Sequence, residues 1–387
     1  MAMADASIQL QQVQPEDSGL EIPSGDEERG AAQADLRKRN ESASFIGLWD
    51  YWSEITRTTS TVFQPHVWRW VDARPLLFDA LDLVSLEQAD RRAFILSNPG
   101  VFPKHFTTNT LYVAYQIVGP GESAAVHRHT PSASRFVLEG NGGFSVIEGE
   151  KCMMARGDLI LTPQGTWHDH GNDGSQPAIW VDVLDLPIVD HLGAVFFTFA
   201  YTELDENTGK RVPRRTQTVT PEPYSDDVYG TSGLLPAYEM EQRGQGHGTP
   251  KFVYRWADTV AALNRLKDYE GSRFDGVILR YADPEDGSPT TDTMDFTVQQ
   301  LRPGQRTESH RHTSSTAYCC LEGAGRTEVG DAVLEWGRND TFVVPSWTWH
   351  RHMNASVDDV AILYGVTDAP VAKGLGLYRE EARGEHV

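Results

Sequence analysis

One tetrapeptide occurs twice in this chain, as His127-Arg128-His129-Thr130 and as His310-Arg311-His312-Thr313, and each copy is followed by a Trp-His-x-His, Trp167-His168-Asp169-His170 and Trp349-His350-Arg351-His352. These two clusters take eight of the thirteen histidines. On a β-strand residues i and i+2 face the same side, so both histidines of an HxH enter one interior and a third from a later strand completes a facial triad. Neutral imidazoles are common ligands of first-row metals. Two similar metal-binding units follow: His127, His129 and His168, and a possible second set of His310, His312 and His350.

The duplication extends well beyond the histidines. Val67-Trp68-Arg69-Trp70 opens an apolar helical pattern through Leu76, Leu77 and Leu81, and Val253-Tyr254-Arg255-Trp256 opens another through Leu263 and Leu266. Strand-like runs ending in Asn98-Pro99 or Asp283-Pro284 come next, then Leu111 to Val118 or Phe296 to Leu301, a Pro-Gly turn and the HxH. Short strands with Gly turns follow, among them Phe144 to Ile147, Leu159 to Pro163 and Ile179 to Leu184. That spacing predicts a mainly β chain of two antiparallel jelly-roll barrels with flanking helices. Trp68 and Trp256 are expected core anchors. His66, His105, His191, His247 and His386 have no metal-like spacing.

The domain reading is a mobile acidic tail over residues 1–43, an N-terminal half over 44–202, a linker over 203–250 and a C-terminal half over 251–387. The net charge of −21 argues against nucleic acid and anionic membrane as partners. No apolar run reaches transmembrane length, and the N-terminus carries no secretory pattern. Three cysteines, two of them adjacent, make no disulfide framework, which points to a cytoplasmic, reducing setting.

Gly121-x5-His127-x-His129 and Gly157-x5-Pro163-x4-His168-x3-Asn172 resemble the two cupin motifs. Gly304-x5-His310-x-His312 and Asn339-x5-Pro345-x4-His350-x3-Asn354 repeat them, so the chain resembles a bicupin. The usual glutamate ligand after the HxH is missing, because Thr130 to Arg135 contains no acid. His-Arg-His-Thr, Ser-x-x-Arg-Phe and Thr-Trp-His-Asp-His are similar to the gentisate dioxygenase group, with its 1-hydroxy-2-naphthoate and salicylate relatives. The resemblance implies iron(II), O2 and a small aromatic hydroxy-carboxylate as reactants, ring cleavage between the hydroxyl- and carboxyl-bearing carbons, and a homo-oligomer, tetramer or hexamer.

Arg135 and Arg91 are the expected carboxylate binders, since a guanidinium binds a carboxylate bidentately. Arg135 lies six residues after His129 and is read on the same strand. The family pattern places a substrate-binding arginine at Arg91 or Arg92, and spacing prefers Arg91. His170 shares a face with His168 as a substrate or second-layer contact. Tyr112, Ala114 and Gln116 alternate on one strand as a pocket floor, and Ala93 leaves room. In the second half Tyr318 stands at the Arg135 position, and Gly276 and Val277 stand opposite Arg91 and Arg92. Catalysis is therefore assigned to the first half, with one iron(II), and a structural metal or none to the second. Gentisate-type members carry Gln after His-Arg-His-Thr where Pro131 stands here. This ranks 1-hydroxy-2-naphthoate first, gentisate second and salicylate third. A non-catalytic ligand-binding bicupin and a manganese bicupin of the oxalate decarboxylase type are the readings from other classes; the second retains the glutamate absent here.

Overall fold

In the computed structural model the described residues are 27–384, apart from 58, 60, 201, 205, 210, 214–216, 218, 220–223 and 231–248. His247 and His386, much of the expected linker and the first part of the expected tail lie outside them. Residues up to Thr59 form one unit and Ser60 onward a second, which holds both barrels. Within the segment expected as a mobile tail, Glu27–Ser42 is instead an α-helix. Its Ala, Glu, Gln, Arg and Lys are strong helix formers, and Arg39 bonds Asp35 one turn earlier at 2.9 Å. The aromatic helix Leu48–Ile55 belongs to the same unit and buries none of its residues.

Each barrel is a six-stranded sheet facing a five-stranded one. In the N-terminal barrel the larger sheet orders Val253–Tyr254, Leu159–Thr162, Ala133–Glu139, Ala178–Leu184, Tyr112–Val118 and Arg92–Ile95. The smaller orders Phe197–Phe199, His127–His129, His168–Asn172, Gly143–Ile147 and Glu150–Met153. The C-terminal barrel repeats this with His66–Trp68, Thr341–Val344, Thr316–Glu322, Ala361–Thr367, Asp295–Leu301 and Val277–Arg280. Ala332–Trp336, Gly325–Val329, His350–Asn354, His310–His312 and Glu380–Ala382 form its smaller sheet.

The large sheets are buried on both faces. One face of Ala133–Glu139 sends Val137 into the barrel with Trp180 and Val118. The other sends Phe136 and Leu138 into a core shared with Phe296, Val298, Ile362 and Tyr364 of the second barrel. Phe136 stacks on Tyr364 with ring centroids 4.1 Å apart, and Tyr115 donates from its hydroxyl to Thr341 Oγ1 at 2.8 Å. Near-continuous apolar strands follow from double burial, as in sheets covered on both sides.

The repeated Arg-Trp pairs tie the barrels together. His66–Trp68 pairs with Thr341–Val344 of the other barrel, and Val253–Tyr254 pairs with Leu159–Ile160. Each exchanged strand runs into a helix, Trp70–Leu83 or Trp256–Leu266, capped by a carboxylate of the opposite barrel. The Trp70 and Trp256 amides donate to Asp340 and Asp158 at 2.7 and 2.8 Å. Arg69 and Arg255 pair with the same two carboxylates at 3.1 and 3.0 Å. Each aspartate follows a residue at positive φ, Gly157 at 86° and Asn339 at 67°. Asparagine is one of the few side chains that adopts this region readily, so Asn339 can stand where the first copy has Gly. Charge-assisted hydrogen bonds of this kind contribute about 1.5–3 kcal/mol each. Asp158→Ala is expected to lower the thermal midpoint clearly while leaving turnover per folded molecule intact. An unchanged midpoint would show the cross-barrel cap to be idle.

Candidate active site and metal centres

The N-terminal triad forms where two neighbouring strands of the smaller sheet meet. His127 lies directly opposite His168 in register, and His129 is two residues along the same strand. The three ligand nitrogens lie within 4.8 Å of one another, and all three residues are buried. Each Nδ1 sits on a backbone carbonyl: Ala125 at 2.9 Å, Pro131 at 2.7 Å and Thr166 at 2.9 Å. A carbonyl only accepts, so each Nδ1 carries the proton and each Nε2 presents a lone pair. His168 Nε2 is buried with no partner. Burial, with Arg91 adding to it, pushes His127 down to about 2; burial likewise takes His129 to about 3 and His168 well below its usual value. Neutral imidazoles with convergent lone pairs fit a divalent metal ion.

Two guanidiniums flank the triad. Arg91 lies just outside the strand Arg92–Ile95 and brings Nη2 to 2.5 Å from His127 Nε2. Arg92 turns away, donating to Val84 O and pairing with Glu122 at 2.7 Å, which spends it on the fold. Arg135 is not on the His129 strand as expected. Thr130 to Ser132 turn the chain, and Arg135 stands on Ala133–Glu139 of the opposite sheet. It reaches the same interior because the two sheets face each other across the barrel. Arg135 Nη1 donates to Thr162 Oγ1 at 2.5 Å, and Nε lies 3.7 Å from Asp182 Oδ1. That separation is an ion pair without a hydrogen bond, and both atoms are buried without hydrogen-bond partners. Burial lowers Arg135 to about 10 against the pull of Asp182, and burial raises Asp182 against Arg135 and Arg91.

The remaining expected residues line up around this pair. Tyr112, Ala114 and Gln116 share a strand face, with Ala114 beside Asp182 and Gln116 between Trp180 and Ala93. Burial raises the Tyr112 phenol; Asp182 adds to this and Arg91 opposes it. His170 Nδ1 bonds Ser145 Oγ at 2.8 Å, while its Nε2 is buried and unpaired. Gln116 Nε2 and Trp180 Nε1 are also unpaired.

Sequence reasoning missed three residues here. Asp182 had a signal, an acid in the middle of the apolar run Ile179 to Leu184. Phe197 and Phe199 had none. Their strand pairs with His127–His129, and their rings lie 5.0 Å from His129 and 6.2 Å from His127. They are 41% and 38% exposed, so they form an outer apolar wall.

Strand register gives the second barrel's equivalents directly. Tyr318 faces Gly365 where Arg135 faces Asp182. Val277 pairs with Gln300 where Arg92 pairs with Ile117. The Tyr318 ring sits against Gly365, so that a Cβ there would meet it at 3.3 Å, and it stacks on Phe342 at 5.1 Å. Both guanidiniums are thus absent from a triad that is otherwise intact.

The cupin domain family model matches residues 114–184 and 297–366, one segment per barrel. The chain is 37% identical to 5-aminosalicylate 1,2-dioxygenase of Comamonas sp over 90% of its length and 91% of that protein's. It is 35% identical to gentisate 1,2 dioxygenase 1 of Aquipseudomonas alcaligenes, covering 88% of this chain and 93% of the other. The chain belongs to the cupin ring-cleaving dioxygenases of the gentisate, salicylate and hydroxynaphthoate family. The fold agrees. Salicylate 1,2-dioxygenase from Pseudaminobacter salicylatoxidans superposes with a TM-score of 0.82 at 29% identity, covering 94% of this chain and all of that one. The protein is therefore a ring-cleaving dioxygenase built as a bicupin, with two histidine triads able to hold metal. Among the described residues of this dioxygenase no helix is long and apolar enough to cross a membrane.

Proposed function

We propose that the N-terminal barrel is the catalytic centre and that His127, His129 and His168 hold iron(II) there. Iron with three neutral ligands keeps its full charge and open positions, and it supplies an electron path between an aromatic ring and O2. The substrate is an ortho-hydroxy aromatic carboxylate. Oxygen enters between the hydroxyl- and carboxyl-bearing carbons, and the product is an opened-ring 2-oxo acid. Arg135 Nε, which lacks a hydrogen-bond partner, and the Arg91 guanidinium bind the substrate carboxylate. Phe197 and Phe199 exclude water from one side of the ring. His170 Nε2 stands ready to donate to, or accept from, an oxygen of the reacting acid, and Tyr112 closes the polar end.

The observation that carries this reading is the buried pair Arg135 Nε and Asp182 Oδ1 beside the triad, neither with a hydrogen-bond partner, which the second barrel replaces with Tyr318 and Gly365. Gln116 Nε2 and His170 Nε2 are unpaired in both barrels, as Gln299 and His352 show. Buried polar groups without partners are costly, and a ligand that supplies the partners relieves that cost. A monocyclic acid with a further polar group across the ring, such as gentisate or 5-aminosalicylate, offers a partner for Asp182 Oδ1. The fused ring of 1-hydroxy-2-naphthoate leaves it unmet. The Pro131 carbonyl orients His129, a backbone contact that any residue at this position could make. Sites that hydrogen-bond a substrate group discriminate against analogues lacking it by factors up to about 10⁴–10⁵. We expect kcat/KM for gentisate or 5-aminosalicylate to exceed that for 1-hydroxy-2-naphthoate by at least about tenfold, a threshold far below that ceiling. Salicylate should fall below gentisate. Preference for the naphthoate would overturn the polar-wall reading and reinstate the argument from Pro131 and Ala93.

The same reading includes a homo-oligomer in a reducing compartment. It is supported by Phe45, Ile46, Trp49 and Trp52, which are exposed in the single chain, and by three free, buried cysteines.

A further inference from the structure

The second triad repeats the ligand geometry of the first with the surrounding charges inverted. The ligand atoms of His310, His312 and His350 lie within 4.8 Å of one another, and the Nε2 atoms of His310 and His350 are buried without partners. His312 and His350 place Nδ1 on backbone carbonyls, Ser314 at 2.8 Å and Thr348 at 3.0 Å. His310 differs. Its Nδ1 donates to the Glu380 carboxylate at 3.0 Å, and Tyr378 donates to the other oxygen of that carboxylate at 3.1 Å. Phe274 stacks flat on the His310 ring at 4.4 Å and fixes its plane.

The register shows what replaced what. Glu380 pairs with His312 as Phe197 pairs with His129, so a carboxylate stands where the first centre has an apolar wall. Asp275 lies one residue before Gly276, the position equivalent to Arg91, and its carboxylate is held by Ser272 Oγ at 2.8 Å. The neighbouring Phe274 ring lies on His310, which sets the Asp275 carboxyl beside the triad; burial raises that carboxyl and His310 pulls it back. Where the first centre presents two guanidiniums beside the single Asp182 carboxylate, the second presents two carboxylates in the arginines' place. Guanidiniums draw in an anionic acid. Carboxylates repel it and compensate a cation that stays.

We propose that His310, His312 and His350 hold a divalent metal ion as a permanent structural element, oriented and retained by Glu380 through His310, with no role in binding aromatic acids. This rests on the reading that the triads of this chain bind metal. A carboxylate on the far nitrogen of a ligating histidine raises its basicity and fixes its ring, and losing such a partner typically costs about 10–100-fold in metal affinity.

The test uses the full chain, stripped of metal and reloaded with zinc(II), with metal counted by atomic emission and its release followed with a chromogenic chelator. Two equivalents per chain are expected. His127→Ala should remove one and His350→Ala the other. Glu380→Gln should speed release of the His350-dependent equivalent by about 10–100-fold and leave the other rate unchanged. That unchanged rate serves as the internal control for folding. One equivalent in the wild type, lost in His127→Ala and kept in His350→Ala, overturns the second centre alone. Two equivalents with release unaltered by Glu380→Gln overturns the role of the carboxylate. No zinc on either triad overturns this proposal together with the metal reading of the first barrel.

Discussion

Alanine at His127, His129 or His168 is expected to remove metal from the N-terminal barrel and with it all measurable ring cleavage. The same change at His310, His312 or His350 should leave turnover once activity is normalised to folded protein. The two triads are near copies, so the asymmetry comes from their surroundings. Only the first has Arg91 against a ligand histidine and Arg135 across the barrel. In the second, Tyr318 and Gly365 fill that space with packed carbon. Oxygen uptake with gentisate, measured beside metal content and circular dichroism, checks this. Equal loss from both sets in folded protein would mean that turnover requires both triads, and the asymmetry drawn from the missing arginines would fall.

Arg135→Ala should separate substrate capture from metal binding. The guanidinium is buried and shares a desolvated site with Asp182. Removing one member of a buried charged pair typically costs about 2–5 kcal/mol, which corresponds to roughly 30- to 5,000-fold in affinity. KM should rise by a factor in that range with metal content near the wild-type level, because no metal ligand touches the changed side chain. Asp182 then loses its nearest cation, and burial favours its protonated form still more. Some stability is lost as a result, and the thermal midpoint reports it separately from KM. Loss of metal with unchanged affinity in the residual holoenzyme would make Arg135 a structural residue and the proposed substrate pose wrong.

The metal-binding chemistry was legible in the chain because it is local. An HxH on a strand aims both imidazoles one way whatever the sheet does next, and the second copy of every motif excludes coincidence. The same comparison of copies located Tyr318 opposite Arg135, which strand register bears out. The helix over Glu27–Ser42 was misread as tail because its polarity spoke louder than its helix propensity.

What remained hidden depends on contacts between residues far apart in the chain. Reading Arg135 on the His129 strand was wrong, and the residue still enters the cavity, because facing sheets of one barrel share an interior. Asp158 and Asp340 take on their capping role only because the exchanged strands bring each to the helix of the other barrel. Glu380 is 70 residues from His310 and becomes its partner only through the last strand of the smaller sheet. The sequence alone determined two jelly-roll barrels and six histidines, since period-two strands and i, i+2 ligands are properties of the backbone. Tertiary structure decided that guanidiniums flank the first triad and a carboxylate partners the second. That difference lies in charges brought together across the barrel, and Coulomb interactions depend on distance in space and not along the chain.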